Sequence, residues 1–350
     1  MTVSIHIASQ NEIKSGTKKL KQCVSNRNLF LVFSIIIVGG LTRLTDSGLS
    51  ITQWELFKGI LPPLNENTWS NYFELYKQIP QYRLINYNMN IEEFKVIFYW
   101  EYIHRNLGRF IGLFFLIPLI YFHLTNKIEK KYLNICNLIL LLIIIQGVVG
   151  WLMVKSGLIN VTTVSHYRLS IHLSNALIII SLIFWLLLNL RNNTLKTFFN
   201  FTLKNLPYLF LIFLIFLQII FGAFVSGLDA GKIYQNWPLM GKSYFPDDTD
   251  VSNIKIFFDF NNQSLVQFYH RNLAYLITFY IFIILFYIFK KKIRVLYKPS
   301  LILIIFLILQ ILLGIFTLVS GLNIFLASAH QISSVLLVFS IINLYYFHIK

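Results

Sequence analysis

The feature that most constrains this chain is a series of eight apolar runs, each long enough to be a membrane-spanning helix. An α-helix rises about 1.5 Å per residue, so roughly 20 residues cross the ~30 Å hydrocarbon core of a bilayer. At 56% hydrophobic and 13% charged residues, the chain is too apolar for a soluble domain. We therefore predict an all-α integral membrane protein with eight transmembrane helices, near residues 29–44, 104–124, 133–154, 170–190, 207–228, 268–289, 299–320 and 326–347.

The formal net charge of +16 can indicate nucleic-acid binding, so its distribution decides what it means. One set of polar segments holds 17 of the 30 basic residues and only two of the 14 acidic ones. Because basic residues gather on the cytoplasmic side of membrane helices, this set predicts topology and no nucleic-acid partner. Both termini are then cytoplasmic. The segments are residues 1–28, 127–131, 191–204, 290–298 and Lys350.

The order of several motifs indicates a tandem repeat of four helices. His-Arg-Asn-Leu occurs at residues 104–107 and 270–273, and the string QGVVGWLMVKSGL at 146–158 is similar to QILLGIFTLVSGL at 310–322. A third pair, His172 and His330, follows in the same order. An even number of helices per unit makes the units parallel. We predict two tandem, parallel, pseudo-symmetric four-helix bundles, with a basic tail at 1–28, an N-terminal half at 29–190, a cytoplasmic linker at 191–206 and a C-terminal half at 207–350.

Four histidines occupy matched places in this repeat, namely His104, His172, His270 and His330. Each opens an apolar run, and the predicted topology puts all four at outer helix ends. Histidine is costly to bury in a bilayer and is a common metal ligand. Each half offers two imidazoles without a matched thiolate or third ligand, which suits haem iron better than zinc or copper. The pattern predicts two haem sites, with helix capping at the membrane interface as the alternative for any one histidine.

The two halves differ beside the first histidine of each pair. Glu101 lies three residues before His104 on the same helical face, whereas Gln267 holds that place before His270. A half-buried carboxylate near a metal is a candidate acid or base, so one haem site is predicted to be reactive. The alternative is a structural carboxylate paired with Arg105 or Arg109.

Arginines near the predicted outer helix ends are candidates for pairing with the two propionates of a haem. The planar guanidinium forms bidentate pairs with carboxylates. Anchoring at the membrane surface is the alternative for all of them. Arg105 and Arg271 are the first candidates because they repeat, and the others are Arg43, Arg109 and Arg168.

Long strings of this chain resemble the haem A synthase family. They are GGLTRLTDSGLSITQWELFKGILPP at 39–63, EYIHRNLGRFIG at 101–112, QGVVGWLMVKSGL at 146–158, SHYRLSIHL at 165–173, GAFVSGLDAGKIYQNWPLM at 222–240, VQFYHRN at 266–272 and Ala-His-Gln at 329–331. The resemblance keeps order and spacing from about 39 to 331. The chain most resembles the proteobacterial and mitochondrial branch of the family, because its first outer loop lacks the cysteine pair of some bacterial members.

The resemblance implies oxidation of the C8 methyl group of haem O to a formyl group, by successive hydroxylations and a dehydration, to give haem A for cytochrome oxidase. By position it implies that Glu101 is the catalytic carboxylate and that His104 and His172 hold the substrate haem O. It implies that His270 and His330 are the axial ligands of a resident haem b and its iron.

The resemblance also implies a setting for the protein. It implies that the protein lies in the bacterial inner membrane, in contact with membrane lipid. It also implies that the protein contacts haem O synthase and oxidase assembly factors. It does not identify the electron acceptor, and it does not decide whether the protein forms a homo-oligomer. The four histidines also fit two alternative hypotheses. One is a diheme b-type electron-transfer protein, and the other is a haem transporter or chaperone that binds haem without oxidising it.

Overall fold

The computed structural model describes residues 20, 26–54, 58–158, 162–249 and 254–349. Within these residues the chain is helical and contains no β-strand, as the sequence predicts. Three helices precede the long ones: α1 (Asn28–Leu44), α2 (Glu66–Lys77) and α3 (Pro80–Leu84). Seven further helices are long and apolar enough to cross a membrane: α4 (Ile91–Thr125), α5 (Lys130–Gly157), α6 (His166–Asn192), α7 (Leu206–Gly227), α8 (Gln263–Lys290), α9 (Tyr297–Val319) and α10 (Ile324–His348).

The first apolar helix is shorter than the others. At 17 residues, α1 is about 26 Å long, a little less than the ~30 Å bilayer core. The described residues therefore contain seven candidate spans, and the eighth stays a prediction. The predicted basic tail at 1–28 lies outside the described residues except for Leu20 and residues 26–28.

His104 does not open its helix, and the sequence prediction was wrong on this point. Helix α4 begins at Ile91, more than three turns before His104, because its polar first turn is closed by a capping box. The Asn90 side chain accepts from the Glu93 backbone N–H at 3.0 Å, and Glu93 accepts from the Asn90 N–H at 2.9 Å. Hydropathy misses such polar turns, so the predicted helix began too late.

In the C-terminal half the predicted runs 268–289 and 326–347 begin within a few residues of the observed helices. The Asn262 side chain accepts from the Leu265 N–H at 3.0 Å and starts α8 two turns before His270. Asn323 likewise caps α10, accepting from the Phe325 N–H at 3.0 Å. Each histidine is therefore held by helical backbone on both sides, which restricts its position.

The chain divides into two compact units, one of residues 1–162 and 175–197 and the other of residues 163–174 and 198–350. In the first unit, α4 packs against α1, α2 and α5. In the second, α7 contacts α8, α8 contacts α9, α9 contacts α10, and α10 contacts α7. This closed cycle is the contact pattern of a four-helix bundle.

An aromatic cluster holds the short helices α2 and α3 against the start of α4. Tyr76 is fully buried, and its ring lies 5.2 Å from that of Phe94. The Tyr76 hydroxyl donates to Gln81 Oε1 at 3.1 Å and accepts from Asn86 Nδ2 at 2.8 Å. Gln81 in turn donates to the Asp46 carbonyl at 2.9 Å, which connects α3 to the segment after α1.

The buried hydroxyl of Tyr76 leads to a first testable prediction. Burial raises the pKa of Tyr76 from 10.0 to about 12. A pKa raised by folding contributes stability that is present below pH 10 and is lost as the pH rises towards 12. We expect Tyr76→Phe to lower the melting temperature near neutral pH, because Gln81 and Asn86 lose a partner, and to flatten the loss of stability between about pH 10 and 12. Thermal melts of the purified protein at several pH values measure both effects, with Tyr87→Phe, at an exposed tyrosine, as the control.

Candidate functional site

Three of the four predicted histidine ligands lie against a glycine on a neighbouring helix. A Cβ atom added to Gly39 on α1 would lie 2.8 Å from His104 Cε1, within the first unit. A Cβ added to Gly314 on α9 would lie 2.9 Å from His330 Cε1, within the second. Real Cβ atoms essentially never come this close, so a larger residue in either place would require the imidazole or the helix backbone to shift.

His270 has a similar but slightly looser neighbour in Gly222 on α7. A Cβ there would lie 3.2 Å from His270 Cε1, so the ring would have to give by a few tenths of an ångström. We call the three contacts the glycine notches. They bring Gly39, Gly222 and Gly314 into the candidate site.

Two glutamines accompany the notches of the second unit, each one helical turn before the glycine. Gln218 Nε2 lies 3.1 Å from His270 Nδ1 and donates to the His270 carbonyl at 2.9 Å. Gln310 Nε2 lies 3.4 Å from His330 Nε2. Ser333 donates to Gln310 Oε1, which holds the Gln310 side chain in place.

The donor set of the second unit fits a haem. The Nδ1 atom of His330 is buried and has no hydrogen-bond partner among the described residues. Over the same residues, no group of three or more His, Cys, Asp or Glu side chains can hold a metal ion by itself. Two imidazoles from α8 and α10 complete a metal site only when a macrocycle supplies the other ligands, which is what haem does.

The fourth histidine, His172, is partly buried on α6. It falls in residues 163–174 of the second unit, whereas His104 falls in the first. The pairing of these two residues stays a prediction.

The Glu101 carboxylate is buried, with its residue only 2% exposed, and is surrounded by donors. Its Oε2 accepts from the Ser50 hydroxyl at 2.7 Å and from the Ile51 backbone N–H at 2.8 Å. Its Oε1 accepts from Arg105, at 3.0 Å from Nε and 2.5 Å from Nη2. The ion pair between Glu101 and Arg105, one of the two alternatives that the sequence offered, is therefore present. A catalytic role of Glu101 stays a prediction.

Arg105 connects this carboxylate to the outer segment after α1. Its Nη2 donates to the Ile51 carbonyl at 2.8 Å, and its guanidinium lies 5.5 Å from the ring of Trp54. Trp54 in turn makes an edge contact with Trp151 on α5. Glu101 and Arg105 together fasten residues 50–54 to α4.

The second unit repeats this arrangement without the carboxylate. Gln267 Nε2 donates to the Tyr234 carbonyl at 2.9 Å, and Arg271 Nη2 donates to the same carbonyl at 3.1 Å. Arg271 Nη1 also donates to the Leu239 carbonyl at 3.2 Å. The Nε atom of Arg271 is buried and has no partner among the described residues. The two repeated arginines therefore both hold backbone carbonyls of outer segments.

The other arginines occupy different surroundings. Arg43 pairs with Asp46 at 2.7 Å. Arg109 Nη1 donates to the Gly59 carbonyl at 3.0 Å and to Asn106 Oδ1 at 2.6 Å. Arg168 is exposed on α6. Contacts of any of the five arginines with propionates stay predictions.

Sequence reasoning missed the glycines and glutamines that touch the histidines, although a signal for them was present. Glutamine followed four residues later by glycine occurs at 146–150, 218–222 and 310–314, and isoleucine replaces glutamine at 35–39. Four residues make about one helical turn, so both side chains lie on one face. A search for this spacing on alternate apolar runs would have found them.

The fold and the site define a class: a multi-pass, all-helical membrane protein with histidines seated against helical glycines. The model of the cytochrome oxidase assembly protein family (COX15-CtaA) matches residues 26–342. The chain is 52% identical to a haem A synthase from Pelagibacter ubique, over 89% of this chain and 93% of that relative. It is 41% identical to one from Rickettsia bellii, over 88% and 92%, and 45% identical to one from Parvibaculum lavamentivorans, over 71% of each. The chain belongs to this family of cytochrome oxidase assembly proteins.

Proposed function

We propose that this protein is a haem A synthase, an oxidoreductase that converts the C8 methyl group of haem O into a formyl group and so makes haem A for cytochrome oxidase. The observation that carries the proposal is the buried carboxylate of Glu101, one helical turn before His104. The matching place in the other half holds the neutral Gln267. Relatives that bear the name haem A synthase and align over most of their length support it.

The histidines divide between two haems in this proposal. His270 and His330 hold a resident haem b, supported by their glycine contacts within one four-helix cycle. When bound, this group supplies a one-electron redox centre of iron. His104 and His172 hold the substrate haem O, on the basis of their matched places in the sequence.

The reaction needs groups that handle protons. Turning a methyl group into a formyl group removes four electrons, which pass to an electron acceptor. With water as the source of oxygen, the two hydroxylations also release four protons, and the dehydration of the gem-diol then releases one water. Glu101 is the candidate acceptor because it is the acidic side chain beside a predicted haem ligand. Arg105 and the Ser50 hydroxyl orient its two oxygens, so the carboxylate keeps one position during the reaction.

The proposal includes the arrangement of the whole chain. We propose eight spans in two tandem, pseudo-symmetric halves, 29–190 and 207–350, joined by the linker 191–206. Support comes from equivalent contacts: Arg105 with the Ile51 carbonyl, and Arg271 with the Tyr234 carbonyl. The sorting of basic residues supports cytoplasmic termini in the bacterial inner membrane. Haem O synthase and oxidase assembly factors are the partners this role needs.

Extraction of haems tests the function directly. The protein is expressed in a bacterial host that makes haem O but no haem A, and the haems of its membranes are separated by chromatography. We expect haem A in membranes that contain the protein and none in those carrying the empty vector. A diheme electron carrier or a haem transporter would leave haem O unchanged, and that result would overturn the proposal.

A further inference from the structure

A short stretch of the second unit, residues 198–205 between α6 and α7, exposes three large apolar side chains. Phe199, Phe201 and Leu203 are 70%, 75% and 88% exposed. The rings of Phe199 and Phe201 stack on each other, with centroids 5.9 Å apart. Three such side chains within five residues form an apolar surface that is unfavourable in contact with water. We call residues 198–205 the linker strap.

The linker strap is fixed to the end of α10. The Tyr345 hydroxyl donates to the Phe198 carbonyl at 2.7 Å, and His348 Nε2 lies 3.0 Å from the Lys204 carbonyl oxygen. His348 is the last residue of α10, and Tyr345 lies three residues before it. Both ends of the linker strap are therefore held beside the last turn of this helix.

The length of α10 indicates the depth of the linker strap in the membrane. The helix has 25 residues and is about 37 Å long, compared with ~30 Å for the hydrocarbon core of a bilayer. A helix of this length that spans the core ends at the boundary between acyl chains and headgroups. An apolar side chain that is exposed at this depth leaves water by entering the neighbouring leaflet.

Basic side chains accompany the linker strap at this end of the second unit. The turn between α8 and α9 contacts α10 through residues 294–296. Neither residues 198–205 nor residues 286–300 contain aspartate or glutamate. The basic residues of the two stretches are all exposed: Lys204, Lys290, Lys291, Lys292, Arg294 and Lys298. Basic side chains beside exposed apolar ones match the surface of a bilayer that contains acidic phospholipids.

We propose that the linker strap is an interfacial anchor, which inserts Phe199, Phe201 and Leu203 into the cytoplasmic leaflet beside acidic phospholipids. The strap leads directly into α7, which begins at Leu206, and it is bonded to α10. Such an anchor sets the depth of both helices in the bilayer. This role goes beyond the proposed reaction and does not depend on it.

Spin labelling of the full-length protein tests the insertion. A nitroxide is attached at Phe201→Cys in a background with Cys23→Ser and Cys136→Ala, which removes the native thiols. The protein is placed in nanodiscs of phosphatidylcholine, alone or mixed with phosphatidylglycerol. Oxygen concentrates among acyl chains and a nickel chelate stays in water, so their relative effects on the saturation of the label measure its depth. We expect this label to be more accessible to oxygen than to nickel.

Lys291→Cys provides the matched label, because Lys291 is an exposed charged residue at the same end of the second unit. We expect this second label to be more accessible to nickel than to oxygen. Phosphatidylglycerol should move the Phe201→Cys label deeper and lower its accessibility to nickel, because acidic headgroups attract the basic side chains. Adding Lys204→Gln to the labelled protein should reduce that shift.

The outcomes decide between membrane and water around the linker strap. Equal accessibility to nickel of the two labels, in both lipid mixtures, would overturn the proposal and would leave the strap in water, open to a protein partner. Insertion without any effect of phosphatidylglycerol would overturn the part that concerns acidic lipid. If Phe201→Cys does not give folded protein, Leu203→Cys takes its place, because Leu203 is the most exposed of the three. None of these results uses the haems, so failure of the proposed reaction would not affect them.

Discussion

Glu101→Gln protein is expected to keep its haem b and to form haem A at less than about 1% of the wild-type rate, since acid–base groups typically contribute about 10²- to 10⁴-fold. Glutamine has nearly the same shape as glutamate but is not a proton acceptor. It is also the residue that this chain carries in the matching place, Gln267. The measurement is haem A formed per haem b, by extraction and chromatography.

The anchoring contacts of Glu101 require a second measurement. The carboxylate holds Ser50 and Ile51 and pairs with Arg105, whose side chain is 12% exposed. Breaking a buried ion pair can cost about 3 to 5 kcal/mol, so Glu101→Gln is also expected to lower the melting temperature. Ser50→Ala is the matched control, because it removes one donor to the carboxylate and leaves the carboxylate itself.

The two roles of Glu101 predict different pairs of results. If Glu101 accepts a proton, Ser50→Ala keeps most of the haem A formation that Glu101→Gln abolishes. Equal losses in both variants would mean that the outer segment, held by Glu101, is what matters. Full activity in Glu101→Gln would remove the carboxylate from the mechanism.

Gly314→Ala is expected to cause the largest change in haem content. The added Cβ would lie 2.9 Å from His330 Cε1, so the imidazole or the backbone of α9 must move away. A ligand displaced by a few tenths of an ångström or more no longer points at the same iron position. We expect purified Gly314→Ala to lose most of its b-type haem absorbance.

Gly147→Ala is the matched control for this prediction. Gly147 also lies within an apolar helix, α5, but a Cβ there would meet nothing within 4 Å. Alanine favours helix over glycine by about 1 kcal/mol, so this variant should keep its haem and be as stable as wild type or more so. Equal haem content in both variants would show that the notch at Gly314 is not needed for ligation.

Much of the helical architecture could be predicted from the sequence because a bilayer imposes a minimum length on apolar helices. Most predicted ends agree with the structure within a few residues, as for the run 207–228 and α7 (Leu206–Gly227). The start of α4 was the clear failure. Asn90 and Glu93 form a capping box that hydropathy does not register, and it lengthens the helix by more than three turns before His104.

The candidate site was predictable to a different extent. The repeat pointed to His104 and His270, and the structure places both against helical glycines. The contact between Glu101 and Arg105 was one of two alternatives, since a spacing of four residues permits the pair but does not require it. Ser50 and Ile51 could not be found, because about 50 residues separate them from Glu101 and no periodicity connects an irregular segment to a helix.

The sequence by itself determined that the chain crosses a membrane, that its motifs occur twice and that the halves differ at Glu101 and Gln267. These properties depend on residue type and on spacing along a helix, which are local. Only the tertiary structure decided that Gly39, Gly222 and Gly314 face histidines, that Gln218 bonds His270, and that the carboxylate of Glu101 holds the outer segment. Those contacts join different elements of the chain, and their distances exist only once the helices have packed.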